Sequence, residues 1–203
     1  MSIDASVDVS VQKRVGARAE HFHPCTWPAP SFQYATDKRS TQMEETVRIL
    51  NAANITYALE DGSLLGAYRH GGPLPCDGDM DIVFPVWLNG MSKCSDGPGE
   101  TLCGHPRNYY IKPAMEWLRQ RIPSVSISPR RWGGFRATFA GVGVDWIVSI
   151  SDFYDDTLCT CTYGSTVSTC VQGAKKRLKG IYGASFMTPD SRCAGHIRRK
   201  LQP

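Results

Sequence analysis

Residues 55–84 read ITYALEDGSLLGAYRHGGPLPCDGDMDIVF, and this stretch decides how the chain is interpreted. Its middle holds a Gly62-Ser63 turn, and its end holds Asp79 and Asp81 at the start of an apolar run. Side chains two residues apart on a strand project from the same face, so these two carboxylates should lie side by side. They would repel each other unless a cation lay between them, and carboxylate oxygens suit Mg²⁺. The stretch therefore predicts a divalent metal site and phosphate chemistry.

Two other interpretations of the acidic stretch compete with this one. Asp77, Asp79 and Asp81 match the opening of a calcium-binding EF-hand loop. That loop requires Gly where Ile82 stands and Glu where Leu88 stands, so the calcium interpretation fails at both positions. The second alternative is a solvated, Asp-rich turn that leads into a strand, which is a common use of Asp.

The run from Asp61 to Asp81, DGSLLGAYRHGGPLPCDGDMD, resembles the signature of the LicD and fukutin-related family of phosphotransferases. It matches that family's pattern without a gap. The departures are Cys76, where the family usually has Trp, and an unusual turn at Gly72-Pro73. A second block near the C-terminus, YGASFMTP over 182–189, is similar to the closing motif of the same family.

The resemblance implies a fold and an activity. The expected fold class is α+β (mixed α/β), of the polymerase-β-like nucleotidyltransferase type, with a mixed central sheet flanked by helices and with Cys-rich loop insertions. The expected activity is a metal-dependent transfer of a phosphocholine- or phosphoribitol-like group from a CDP-linked donor to a glycan hydroxyl. Asp79 and Asp81 would hold Mg²⁺ or Mn²⁺ in a two-metal arrangement.

Asp145 is the candidate for a third acid. It interrupts the otherwise apolar run VGVDWIV over 142–148, and a charge inside such a strand is costly unless it is paired or binds a metal. The resemblance implies that Asp145 completes the site, as a ligand or as the base that takes the acceptor's proton. Asp152, Asp155 and Asp156 are alternatives, but they stand in a polar stretch that favours a solvated surface.

Further residues are predicted to bind the substrate or to support the site. Gly62 and Ser63 would cradle a phosphate at a helix N-terminus, although Ser63 could simply cap that helix. Arg69 could clamp a phosphate with its fork of donors, and the neighbouring His70 is either structural or in contact with the substrate. The remaining candidates are Lys175 and Lys176, for which a solvated helix face is the alternative, and Asp77, which is expected to orient the metal loop from behind the ligands.

Composition favours one folded domain over 37–203, preceded by an irregular arm over 1–36 that packs on it. The formal net charge of +4 is compatible with an anionic substrate but too small to favour nucleic-acid binding. No apolar run approaches the roughly 20 residues that span a bilayer, and the first 20 residues lack the apolar core of a signal peptide. The chain itself is therefore expected to be soluble.

Eight cysteines are many for a cytosolic protein of 203 residues. They favour the lumen of the secretory pathway (Golgi or ER) or the extracellular space over the cytoplasm, with a signal or anchor upstream of this sequence. The equal spacings Cys94 to Cys103 and Cys161 to Cys170 are compatible with a structural Zn²⁺ or with disulfides. The close cysteine pairs of a zinc ribbon are missing, so disulfides are the preferred interpretation.

Periodicity and turn residues place the elements along the chain. Helices are expected over 41–53, 64–68, 110–122 and 173–182. Strands are expected over 55–59, 82–86, 125–128, 135–140 and 142–150. The Gly-, Ser- and Cys-rich stretches 87–106 and 151–172 are expected to be loops.

Two other functions are compatible with the sequence. The first is nucleotidyl transfer by the same three acids, in which the nucleotide itself passes to the acceptor. The second is a non-catalytic, cysteine-stapled secreted module that binds glycans or metal. The Gly-Ser turn and the three acids favour an enzyme over that module.

Overall fold

A computed structural model describes residues 22–31, 38–74, 77–85, 111–130, 134–139, 141–149 and 158–188. Its centre is a five-stranded mixed sheet in the order β1-β2-β5-β4-β3, and a separate two-stranded sheet pairs β6 with β7. The strands are β1 (Ala58–Leu59), β2 (Asp79–Pro85), β3 (Ser126–Arg130), β4 (Gly134–Phe139), β5 (Val142–Ser149), β6 (Leu158–Tyr163) and β7 (Thr166–Val171).

The helices of the described part of the chain are α1 (Lys38–Ala52), α2 (Asp61–His70), α3 (Ile111–Arg121) and α4 (Ala174–Tyr182). Each buries an apolar face; α3, for example, buries Ile111, Met115 and Leu118, which recur at the spacing of one helix face. The mixture of helices with a mixed sheet confirms the coarse fold class that the sequence predicted.

The central pairing of the sheet determines the geometry of the site. Strands β2 and β5 run parallel, and their register sets Asp81 beside Asp145. Strand β4 pairs antiparallel with β5, and its register sets Arg136 on the other side of Asp145. Three charged residues thus lie at one level across three adjacent strands.

Aromatic side chains fill the core on the opposite face of these three strands. Trp146, the residue after Asp145, is fully buried. Its ring stacks on Phe135 with 5.2 Å between the ring centroids and lies 5.3 Å from the ring of Phe84. Large buried rings remove much apolar surface from water, so these contacts stabilise the packing of β2, β4 and β5.

The prediction of a loop over 151–172 is wrong for the second part of that stretch, because residues 158–171 form the hairpin β6-β7. The residues alternate as a strand requires: Cys159, Cys161 and Tyr163 are buried, while Thr162 between the last two is exposed. Gly164 has φ 69°, the left-handed conformation that a two-residue hairpin turn favours.

Two disulfides lie at this hairpin. Cys161 is bonded to Cys170 across β6 and β7, which confirms the disulfide interpretation for this pair. Cys25 is bonded to Cys159 and therefore links the N-terminal segment 22–31 to the hairpin. The backbone nitrogen of Cys25 also donates to Thr160 O at 2.8 Å. Cys94 and Cys103 lie outside the described residues.

The remaining elements follow the predicted positions with shifted ends. The strand expected over 55–59 is shorter, at Ala58–Leu59, and the helix expected over 64–68 is longer, at Asp61–His70. The expected loop over 87–106 lies outside the described residues. Within the described ranges, no helix is both long enough and apolar enough to cross a bilayer.

Candidate functional site

The N-terminus of α2 is attached to the start of β2 by hydrogen bonds in both directions. The backbone nitrogen of Gly62 donates to Asp81 Oδ2 at 3.1 Å, and the backbone nitrogen of Asp81 donates to Ser63 Oγ at 2.9 Å. The Tyr163 hydroxyl donates to the same Ser63 Oγ at 3.4 Å. The predicted Gly-Ser turn and the predicted acidic strand are therefore adjacent in space.

Asp77, Asp79 and Asp81 converge beside this turn. Each offers a carboxylate oxygen, and these oxygens all lie within 4.8 Å of one another. All three residues are partly buried. A set of oxygen donors with this spacing fits a hard divalent cation such as Mg²⁺ or Mn²⁺. The structure thus brings Asp77, expected behind the ligands, into the same cluster as Asp79 and Asp81.

The electrostatics of the cluster favour a cation. Burial, together with the charges of Asp77 and Asp79, raises the pKa of Asp81 from 3.8 to about 8. Burial and the neighbouring Asp79 likewise raise the pKa of Asp77 above its ordinary value. Negative charge is therefore difficult to accommodate here without a positive partner.

Gly62 is needed for this close approach. A Cβ atom at position 62 would overlap Asp77 Oδ2 and would stand 3.2 Å from Asp81 Oδ2. The residue before it, Asp61, begins α2 with φ 40°, in the left-handed region that non-glycine residues rarely adopt. The backbone is thus shaped to present the start of α2 to the carboxylates.

Asp145 lies next to the cluster but is held by an arginine. Arg136 Nε donates to Asp145 Oδ1 at 2.6 Å, and its Nη2 donates to Asp145 Oδ2 at 2.5 Å. The same Nη2 also bonds Asp79 Oδ2. Among the described residues, the converging carboxylates are Asp77, Asp79 and Asp81, and Asp145 is not one of them.

Arg69 and His70 are buried at the C-terminal end of α2. Arg69 Nη1 donates to the backbone carbonyls of Phe186 at 2.8 Å and Thr188 at 3.4 Å. Arg69 Nε contacts His70 Nδ1 at 3.4 Å, and burial beside this guanidinium lowers the pKa of His70 to about 4. Both side chains are therefore buried, and Arg69 ties α2 to the C-terminal segment.

Lys175 and Lys176 are exposed on α4, whose inward face is formed by Ala174 and Leu178. The next residue, Arg177, turns inward instead, and its Nε donates to both oxygens of the buried Glu60, at 2.6 and 2.7 Å. Glu60 immediately precedes α2. The basic run at the start of α4 is thus divided between two solvent-facing lysines and one structural arginine.

Sequence reasoning missed Arg136 and the pairing of Arg177 with Glu60, both of which organise the site. Arg136 interrupts the apolar run GFRATF in β4 just as Asp145 interrupts β5, so the argument applied to Asp145 was equally available for the arginine. No feature of the sequence indicated that Arg177 pairs with Glu60, because 117 residues separate the two and neither interrupts an apolar strand.

Comparison with known protein families gives a match over the part of the chain that holds the acidic cluster. The family described as LicD/FKTN/FKRP, nucleotidyltransferase domain, matches residues 54–121. This segment contains α2, the acidic cluster and α3, and it leaves Arg136 and Asp145 outside.

Individual relatives match over shorter stretches. The chain is 43% identical over 56 residues to the ribitol 5-phosphate transferase FKRP of mouse and, with the same figures, to that of human. This match covers 26% of the chain and 11% of each relative. An uncharacterised protein of Rickettsia prowazekii is 50% identical over 40 residues, which cover 20% of the chain and 15% of the relative.

The family match therefore contains the Gly-Ser turn and the three converging carboxylates. The pairwise matches cover only 11 to 15% of these relatives. Over residues 54–121, the chain is similar to the LicD/FKTN/FKRP nucleotidyltransferase-domain family, as the sequence predicted.

Proposed function

We propose that the chain is a metal-dependent phosphotransferase with a nucleotidyltransferase-type fold. It moves a phosphoalcohol, of the phosphocholine or phosphoribitol kind, from a CDP-linked donor to a hydroxyl of a glycan. The observation that carries the proposal is the convergence of Asp77, Asp79 and Asp81 at the start of α2. The similarity to proteins named ribitol 5-phosphate transferase supports the assignment of a phosphoalcohol as the transferred group.

The metal-binding part of the proposal assigns Asp77, Asp79 and Asp81 as the ligands of Mg²⁺ or Mn²⁺. The fit is supported by their oxygen donors and by the raised pKa of Asp81. The bound ion would neutralise the charge that develops on the phosphoryl oxygens during transfer.

The donor's phosphates would lie against the N-terminus of α2, where the helix dipole and backbone N–H groups favour anions. Gly62 keeps a side chain out of this space, and Ser63 holds the helix end against β2. Lys175 and Lys176, exposed on α4, would attract the anionic donor. Arg69 has no phosphate-binding role in the proposal, because its guanidinium is bonded to the carbonyls of the C-terminal segment.

Transfer requires a base for the acceptor's hydroxyl proton, and Asp145 takes that role in the proposal. An ionised carboxylate has about four lone-pair sites, so the two hydrogen bonds from Arg136 leave others available. The acceptor oxygen would bond to the phosphorus next to the alcohol, the bridging P–O bond would break, and CMP would leave.

The disulfides support a cellular setting for the proposed reaction. The pairs Cys25–Cys159 and Cys161–Cys170 are typical of an oxidising compartment. We therefore place the proposed reaction in the lumen of the secretory pathway or outside the cell, where glycan acceptors are available.

Calorimetry tests the class of donor. The purified chain is titrated with CDP, CDP-choline, CDP-ribitol and a UDP-sugar, with and without Mn²⁺, beside the variant Asp79→Ala. The proposal predicts Mn²⁺-dependent binding of a CDP compound that Asp79→Ala abolishes. Glu116→Ala, at an exposed acidic residue of α3, should bind as the unmodified chain does. Binding of no CDP compound would contradict the proposal.

Product analysis then separates the two enzyme classes. Phosphoalcohol transfer releases CMP from the donor and leaves the alcohol phosphate on the acceptor. Nucleotidyl transfer would release the alcohol phosphate and leave CMP on the acceptor. Chromatography of the products identifies which of these two reactions occurs.

A further inference from the structure

Arg136 lies between two carboxylates that belong to different strands. Strand β4 sets it beside Asp145, and its guanidinium reaches past β5 to Asp79 on β2. Both oxygens of Asp145 accept from it, at 2.6 and 2.5 Å, and Asp79 Oδ2 accepts from the same Nη2 that bonds Asp145. This fork geometry is the one in which arginine binds carboxylates most strongly.

The backbone of β5 is shaped to accept this arginine. Gly143 stands two residues before Asp145, on the same face of the strand. A Cβ atom there would lie 3.2 Å from Arg136 Cδ and 3.3 Å from Arg136 Nε. A side chain at position 143 would therefore press on the path that Arg136 takes toward the two carboxylates.

The guanidinium supplies a permanent positive charge between Asp79 and Asp145. Arginine does not lose its proton in proteins, so its charge does not depend on pH in the physiological range. Without a cation between them, these two carboxylates, on the same face of adjacent strands, would repel each other. Arg136 thus already provides, for this pair, what a metal ion would otherwise provide.

We propose that Arg136 takes the place of a second metal ion, so that the chain binds one divalent ion on Asp77, Asp79 and Asp81, and Asp145 is not a metal ligand. The inference rests on the proposed metal site and refines it: it replaces the two-ion arrangement implied by the family resemblance with one ion and one guanidinium. Arg136 is in this sense a positioning residue, which acts through Asp79 and Asp145.

The test counts bound ions and needs no substrate. The full chain is titrated with Mn²⁺ alone, by calorimetry and by the loss of the free-ion signal in electron paramagnetic resonance. The inference predicts one ion for the unmodified chain and two for Arg136→Gln, because the glutamine removes the charge and the two hydrogen bonds that Arg136 gives to Asp145. Arg136→Lys keeps the charge and should bind one ion.

Two further variants serve as controls. In the double variant Arg136→Gln/Asp145→Asn the added ion loses a ligand, so the count should return to one. Arg130→Gln makes the same change on β3, where the guanidinium approaches Asp145 only to 3.8 Å. It should leave the count at one. Circular dichroism of every variant establishes that each is folded.

The outcomes separate this inference from the proposed function. Two ions in the unmodified chain, one ion in Arg136→Gln, or two ions in Arg136→Lys would overturn the role of Arg136. If the unmodified chain binds no ion, the metal part of the proposed function fails. The role of Arg136 is then supported if Arg136→Gln gains an ion, and overturned if it gains none.

Discussion

Gly62 and Asp77 lie so close together that a Cβ atom at position 62 would overlap Asp77 Oδ2. The overlap is with the end of a side chain that can turn away, and not with backbone. A substitution here should consequently disturb the carboxylate cluster more than the fold.

Gly62→Ala should weaken Mn²⁺ binding by about tenfold or more, the range seen when groups that orient metal ligands are lost. Its midpoint of thermal unfolding should change little. Gly78→Ala is the matched control: it lies beside the same carboxylates, but a Cβ there meets nothing within 4 Å. Calorimetric titration and thermal melts measure both quantities. Equal Mn²⁺ affinity in the two variants would contradict the role given to Gly62.

Two helix glycines should respond to alanine with opposite signs. A Cβ at Gly66 would lie 2.5 Å from the carbonyl oxygen of Gly72, so Gly66→Ala should destabilise the chain by about 1 to 3 kcal/mol. Gly180 is exposed on α4 and a Cβ there meets nothing within 4 Å, so Gly180→Ala should stabilise by about 0.5 to 1 kcal/mol. Denaturant unfolding measures both changes. A stable Gly66→Ala variant would show that α2 does not need to pack this closely.

Arg177→Met should destabilise the chain by about 3 kcal/mol, because it leaves the buried carboxylate of Glu60 without its guanidinium. Arg48→Met is the control, since Arg48 pairs with Glu45 on the exposed face of α1 and should lose no measurable stability. Urea titrations of the two variants provide the comparison. Similar losses in both would mean that the Arg177–Glu60 pair is no stronger than a surface ion pair.

His70 should make the stability of the chain fall in acid. Its pKa is 6.5 when unperturbed and about 4 in the folded protein, so the unfolded chain binds the proton more readily. The stabilisation is complete above about pH 6.5 and is lost as the pH falls toward 4; between pH 7 and pH 5 the loss should be about 1 to 2 kcal/mol.

The variant His70→Gln isolates this contribution, since other groups titrate over the same range. Its stability should depend less steeply on pH than that of the unmodified chain, by the amount given above. Identical slopes for the unmodified chain and His70→Gln would exclude the buried histidine as the cause.

Much of the fold was predictable because its local signals agree with its packing. The periodic apolar residues of α3 and the basic run of α4 placed both helices within a residue or two of their observed ends. The hairpin β6-β7 was missed because Cys and Thr were read as loop composition, although buried Cys159, Cys161 and Tyr163 alternate with threonines. Two disulfides hold these residues inside, which composition alone does not reveal.

The acidic residues of the candidate site could be predicted from the sequence, but the arginines that pair with them could not. The spacing of Asp79 and Asp81 places them on one face of β2, as expected for a strand. Which arginine meets which acid depends on strand order: Arg136 reaches Asp79 only because β5 lies between β2 and β4. Arg69 looked like a phosphate ligand from its position in the motif, and its contacts with Phe186 and Thr188 depend on where the C-terminal segment packs.

The central claim is that three carboxylates hold the ion on which transfer depends. The most direct test measures CMP release from the CDP-linked donor that binds best, with Mn²⁺ present, in the unmodified chain and in Asp81→Asn. The variant keeps the size of the side chain and removes its charge. We predict Mn²⁺-dependent CMP release that Asp81→Asn reduces by about a thousandfold or more, since phosphoryl transfer depends on charge stabilisation. A loss of only a few-fold, or release that does not require a divalent ion, would contradict the claim.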